Sequence, residues 1–213
     1  MDFQLFGKGL VQQLQLPLPG TDAQRIMAAK PINPKRFEEE FERPAKPSAV
    51  LVLLYPFENE VHMALMKRPI YPGVHSGQIS FPGGKKESYD QDLIATALRE
   101  AEEEVGVDQS EIKVIGELTD LFIIVSNFKV KPVIGLMDKK PDFILDPREV
   151  AGVLNISLKD LNLPKYQGLK EMTFKNNITI NAPYYNVHGN VVWGATAMII
   201  SELLAVVEPI LGE

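Results

Sequence analysis

The segment from Gly84 to Gly106 constrains this chain most, because its carboxylates sit where an ordinary surface helix avoids them. Asp92 to Val105 has helical periodicity, and Gly106 stands where a C-terminal cap glycine belongs. At 100° per residue, Glu100, Glu103 and Glu104 share one arc of about 100°. Ile94, Ala97, Leu98, Ala101 and Val105 form the face expected to be buried, and Glu102 falls outside the acidic arc. Glu100 and Glu104 are a like-charged i,i+4 pair, unfavourable by about 0.2–0.5 kcal/mol. Glu103 and Glu104 occupy the last turn, where the helix dipole disfavours an anion by about 0.3–1 kcal/mol. A solvated acidic face is the plain reading of such a run. The alternative is a bound divalent cation, which reverses the sign of each of these terms. With no cysteine and three scattered histidines (His62, His75, His188), the donors are hard oxygens, which points to Mg²⁺ or Mn²⁺.

Composition bounds the rest. The 213 residues fit one domain with an extension better than two full domains. A net charge of −6 argues against a nucleic-acid binder and against docking on anionic membranes. The apolar runs 49–54 and 197–200 are too short to span a bilayer. The N-terminus has an early acid and no long apolar run, so no secretory signal is expected and a cytoplasmic location is.

Residues 1–46 read as an N-terminal helical extension packed on a domain of residues 47–213. Phe3 to Leu14 is helix-spaced, and a short helix is expected from Thr21 as N-cap to Ala29. Arg36 to Arg43 reads as a charged surface segment with two aromatic anchors. Strands are expected at 49–55, 61–66, 112–118, 120–125, 129–136 and 178–187, with a turn over Pro56–Glu60, a loop from Pro69 to Gly84 and a closing helix over 194–207. This order predicts a mixed α/β or α+β sandwich.

Phe81-Pro-Gly-Gly84 leads into the acidic helix, and together they resemble the Nudix box. Gly84, Arg99, Glu100, Glu103, Glu104, Gly106 and Val107 match. The chain departs from the commonest form by one extra residue between the glycines, and the mid-box acid falls among Asp90, Gln91 and Asp92, with Asp90 the better candidate. Arg68, His75, Gly77, Gln78 and Phe81 to Gly84 are similar to the upstream signature of the coenzyme A pyrophosphatase branch. Segments 130–135 and 192–197 also resemble that branch, so the likeness spans roughly residues 48–207.

The resemblance implies a Nudix α/β/α sandwich, a mixed sheet between helices. It implies an enzyme, a metal-dependent diphosphatase cleaving coenzyme A or acyl-CoA to adenosine 3′,5′-bisphosphate and (acyl-)phosphopantetheine. The alternatives are a broader nucleoside-diphosphate-X hydrolase (ADP-ribose, NADH, dinucleoside polyphosphates) and a non-catalytic nucleotide-binding module. Glu100 and Glu104 are the principal metal ligands it implies, with Glu103 beside them and the Gly83 carbonyl as a further donor. Arg99, four residues before Glu103, would orient it; Arg99 and the three glutamates form the catalytic set. Arg68, His75, Gln78 and Gly84 would face substrate. The general base is Glu103 or a later carboxylate such as Glu149 or Glu171. Lys85 and Lys86 are solvated or steer an anion; Trp193 and Gly194 pack the closing helix. The expected partner is a small CoA-like molecule, the expected assembly a monomer or homodimer.

Overall fold

The computed structural model describes residues 2–31, 44–72, 76–173 and 179–211; the charged segment 36–43 and His75 lie outside them. Two helices open the chain. Helix α1 (Phe3–Gln13) is capped by the Asp2 carboxylate, which accepts the Gln4 and Leu5 N–H groups at 2.8 and 3.2 Å. Helix α2 (Gly20–Ile26) begins two residues before the expected start, with Pro19 rather than Thr21 at its N-cap and no side-chain cap.

The first strand organises the domain. β1 (Lys46–Phe57) is apolar almost throughout because both of its faces are covered. Ala49, Leu51, Leu53 and Tyr55 point to one core, while Val50, Val52 and Leu54 point to the other. β1 pairs antiparallel with β2 (Glu60–Lys67) through a turn confined to Glu58 and Asn59, both at positive φ, so the strand runs through Pro56 and Phe57. The loop expected from Pro69 to Gly84 contains two short strands, β3 (Ile79–Ser80) and β4 (Gly83–Lys85), which pair with β2 and β1. Two or three residues carry no readable periodicity.

Helix α3 (Leu93–Val105) starts where the Asp92 carboxylate accepts the Ala95 N–H at 2.8 Å and ends at Gly106, φ 68°. Strands β5 (Lys113–Glu117), β6 (Leu121–Ile123) and β7 (Phe128–Leu136) follow, with β7 parallel to β1. A segment over 137–151 leads into β8 (Gly152–Ser157), which pairs with β2 and was not expected. After a single helical turn, α4 (Leu158–Leu161), β9 (Gln167–Thr173), β10 (Thr179–Val187) and β11 (Asn190–Trp193) form a separate three-stranded sheet. β9 escapes the sequence because it is polar and mostly exposed.

Helix α5 (Gly194–Leu211) closes the chain, four residues longer than expected. By length and composition it could cross a membrane. Here its apolar side chains pack in the core with β1 and α1, and its Ser201 hydroxyl donates to the Ala23 carbonyl of α2 at 2.7 Å. Its Glu202 is fully buried and accepts hydrogen bonds from Gln24 Nε2 (2.8 Å) and the Thr119 N–H (3.1 Å). Helices α1, α2 and α5 thus cover one face of the main sheet and α3 the other, giving the mixed sheet between helices that was expected. Ala97 and Ala101 allow α3 to lie close on β1, while Ile94 and Leu98 are only half-buried.

Candidate active site

The site forms where β4 crosses the last two turns of α3. Gly83 has φ 152°, and a side chain there would run into the Ala49 carbonyl and lie 2.6 Å from Val50 Cα, so only glycine fits. At Gly84 a Cβ would lie 2.5 Å from the Glu100 carboxyl carbon. The glycine pair therefore lets the acidic arc rest directly on backbone.

Glu104 is 3% exposed. Its Oε2 accepts the Gly83 N–H at 2.8 Å, and Oε1 is 3.6 Å from Arg68 Nη2. Burial pushes its carboxyl up to about 7, against the opposing pull of the Gly83 N–H and Arg68. Burial also raises Glu100, with Arg99 opposing and Glu103 and Glu149 adding repulsion.

Arg99 organises the remaining carboxylates. Nε and Nη2 grip Asp90 at 2.9 Å each, Nη1 donates to Glu100 (2.8 Å) and Glu103 (2.9 Å), and Nη2 also reaches the Lys85 carbonyl (3.2 Å). All five guanidinium donors are engaged within the protein, so Arg99 acts by positioning. Asp90 also accepts from Thr96 Oγ1 and the Glu87 N–H, each at 2.9 Å, and Arg99 holds its carboxyl well below the usual range. The mid-box acid is therefore the anchor for Arg99. Lys86, expected to be solvated, donates its ammonium to the Asp90 carbonyl.

The 137–151 segment completes the cleft. The last carbonyls of α3 need donors, and this segment supplies them: Ile144 N–H to Val105 O and Asp146 N–H to Glu104 O, both 3.0 Å. Gly106 permits the crossing, since a Cβ there would lie 2.6 Å from that of Ile144. The result is an open cleft of about 530 Å³ lined by Arg68, Gly83, Gly84, Arg99 and the three box glutamates, and also by Lys85, Glu87, Tyr89, Asp146, Arg148 and Glu149. Asp146, Arg148 and Tyr89 carried no sequence signal beyond their types. Of the two later carboxylates considered as base, Glu149 lines the cleft, whereas Glu171 lies exposed on β9 of the other sheet. Gln78 does not line it; its carbonyl accepts the Arg68 N–H at 2.9 Å.

The cluster offers the donors a hard cation takes: several carboxylates, one of them buried and raised in pKa, against side-chain-free backbone. Among the described residues no three carboxylates converge on one point. Arg99 and Arg68 occupy the charge instead.

A sequence profile described as the NUDIX domain matches residues 45–173. Over 145 residues the chain is 38% identical to NudL of Yersinia pestis (strain Pestoides F), a Nudix hydrolase itself uncharacterized; the match covers 68% of this chain and 71% of that one. NudL of Yersinia pseudotuberculosis (serotype O:1b, strain IP 31758) matches equally. Among solved structures, RenU, a Nudix hydrolase from M. smegmatis, superposes with TM-score 0.55 at 15% identity over 78% of this chain and 88% of that one, a likeness of fold. With the profile spanning most of the chain and the relatives matched across the box, this protein belongs to the Nudix family and is a hydrolase of that family.

Proposed function

We propose that the cleft hydrolyses the diphosphate bond of a nucleoside-diphosphate derivative, with coenzyme A or acyl-CoA as its substrate. The observation that carries the reaction is Glu104, buried and raised to about 7 beside the Gly83–Gly84 backbone in a cleft with four further glutamates. The choice of coenzyme A rests on the upstream signature, of which Arg68 reaches the cleft.

Nudix hydrolases work with divalent metal ions. Glu100 and Glu104, with Glu103 beside them, would hold Mg²⁺ or Mn²⁺ here; such an ion neutralises phosphate charge and acidifies water. Arg68 can turn its guanidinium fork to a phosphate. Arg99 fixes Glu100 and Glu103 in orientation and leaves substrate to others. A water oxygen attacks one phosphorus, the bond to the bridging oxygen breaks, and a carboxylate takes the water proton. Glu103, with its side chain 57% exposed, and Glu149 are the bases the cleft presents.

Coenzyme A, ADP-ribose, NADH and dinucleoside polyphosphates, incubated with the protein and Mg²⁺ or Mn²⁺, test this by mass spectrometry of products. Adenosine 3′,5′-bisphosphate and phosphopantetheine are expected. Preference for ADP-ribose would move the assignment to the broader hydrolase reading; coenzyme A binding without product would favour a binding module.

A further inference from the structure

Tyr89 is a large aromatic residue with 70% of its surface exposed, and it stands at the rim of the cleft. Its backbone is held on both sides. The Glu87 N–H donates to Asp90 Oδ2 at 2.9 Å, the Asp90 N–H returns to the Glu87 carbonyl at 3.2 Å, and the Lys86 ammonium caps the Asp90 carbonyl. The Arg99 guanidinium lies 5.6 Å from the ring centroid and favours the ring electrostatically. Because Arg99 also donates to Glu100 at 2.8 Å, ring centre and Glu100 carboxylate are at most about 10 Å apart, allowing for the guanidinium C–N bond. Ribose and first phosphate together span such a reach. The ring is preset, cation-backed and largely solvent-exposed at the edge of an otherwise polar and charged cleft.

We propose that Tyr89 is a substrate-binding residue that stacks on the nucleobase of the nucleoside-diphosphate substrate. This rests on the diphosphatase reading of the same cleft. Every base offers a π-face, so stacking sets preference for a base-bearing substrate over a base-free one rather than choosing among bases. A tyrosine with two torsions, already fixed at its backbone, loses little freedom on stacking. Lys85, beside it on the cleft with its ammonium 3.6 Å from Glu87, adds positive charge for the phosphate that follows the base.

The experiment has two arms. In turnover, Tyr89→Ala, Tyr89→Phe and the natural protein are compared on coenzyme A and on a base-free dialkyl diphosphate. Tyr89→Ala should raise KM for coenzyme A about tenfold or more, with a smaller change in kcat, and Tyr89→Phe should recover it. The KM change should be at least several-fold larger for coenzyme A than for the base-free compound. An equal loss on both, or failure of Tyr89→Phe to recover, would overturn the proposal in favour of an effect through Arg99. In binding, AMP is titrated into the same three proteins by NMR without turnover. Weaker AMP binding by Tyr89→Ala alone supports stacking, and identical affinities in all three overturn it. If the natural protein hydrolyses neither compound, the diphosphatase reading fails, and the AMP arm still decides the role of Tyr89.

Discussion

Glu104 Oε2 accepts the Gly83 N–H at 2.8 Å, so a carboxylate in the last turn of α3 is locked to the first residue of β4 while almost wholly removed from water. Its carboxyl lies at about 7 rather than its ordinary 4.5, mainly through burial. A raised folded-state value means the folded protein holds the proton more tightly than the unfolded chain. The associated stability is complete below the unfolded value and is lost as pH rises through 7. The metal-free protein should lose on the order of 3 kcal/mol from this group between about pH 4.5 and pH 7.5. Glu104→Gln mimics the protonated form and keeps an acceptor for the Gly83 N–H. It should flatten that dependence and be the more stable protein at pH 8, while turnover falls by orders of magnitude. Urea melts with chelator at pH 5, 6.5 and 8 check this; parallel curves for the two proteins would refute it.

The same linkage governs metal binding. A cation on Glu104 must displace its proton below pH 7. Apparent Mg²⁺ or Mn²⁺ affinity should rise nearly tenfold per pH unit up to about 7 and level off above it, with proton release at the lower pH. Calorimetry in two buffers of different ionisation enthalpy measures both. A pH-independent affinity would place the ion elsewhere.

Gly83 and Gly84 are adjacent but should fail differently. A methyl at Gly83 meets the backbone of Ala49 and Val50, and φ 152° is unfavourable for any other residue. Gly83→Ala should therefore destabilise the fold by about 2 kcal/mol or more. A methyl at Gly84 meets the end of the Glu100 side chain, which can swing away. Gly84→Ala should melt within about 1 kcal/mol of the natural protein yet lose most of its metal affinity and turnover. Thermal melts paired with initial rates separate the two, and equal melting temperatures would contradict this account.

Asp90 and Arg99 form a pair whose removal should act on both fold and site. Asp90→Ala leaves a largely buried guanidinium without its main partner and should destabilise by about 3 kcal/mol. It also frees Glu100 and Glu103, so metal affinity should drop about 10- to 100-fold. Because the Asp90 carboxyl lies below its ordinary value, its stabilisation is present above the usual carboxylate range and lost only as pH falls through the depressed value. The deficit of Asp90→Ala should thus be constant from pH 5 to 8, unlike the change expected of Glu104→Gln. Denaturant melts across that range check it.

How much of this was legible in the sequence follows from the range of the forces involved. Helix α3, its Asp92 start and its Gly106 end are local, written in 3.6-residue periodicity and capping chemistry, and the Arg99–Glu103 contact follows from i,i+4 spacing. β1 and β7 were legible as apolar runs. Of the expected buried face, Ala97, Ala101 and Val105 are buried, and Ile94 and Leu98 pack half-buried against the same core. β3 and β4 are fixed by pairing with distant strands, and β9 by one partner at a polar edge, so neither left a pattern. The approach of residues 144–149 to α3 depends on backbone carbonyls that any sequence would offer. Asp146 and Arg148 were invisible for that reason, and Glu149 could be named but not distinguished from Glu171.

That distinction yields the last prediction. Glu149 follows Asp146, whose N–H is bonded to the Glu104 carbonyl at 3.0 Å and whose own carbonyl accepts the Glu149 and Val150 N–H groups at 3.1 and 2.8 Å. The turn holds Glu149 on the cleft, close enough to contribute to the raised values of Glu100 and Glu104. Glu171 is exposed on β9 and does not line the cleft. Glu149→Gln should cut kcat by about 10²–10⁴ if it takes the water proton, while leaving metal affinity nearly intact. Glu171→Gln should change neither. If Glu149→Gln keeps full kcat and Glu103→Gln alone lowers it with metal affinity unchanged, the proton goes to Glu103, and the 137–151 segment serves to cap α3 and wall the cleft.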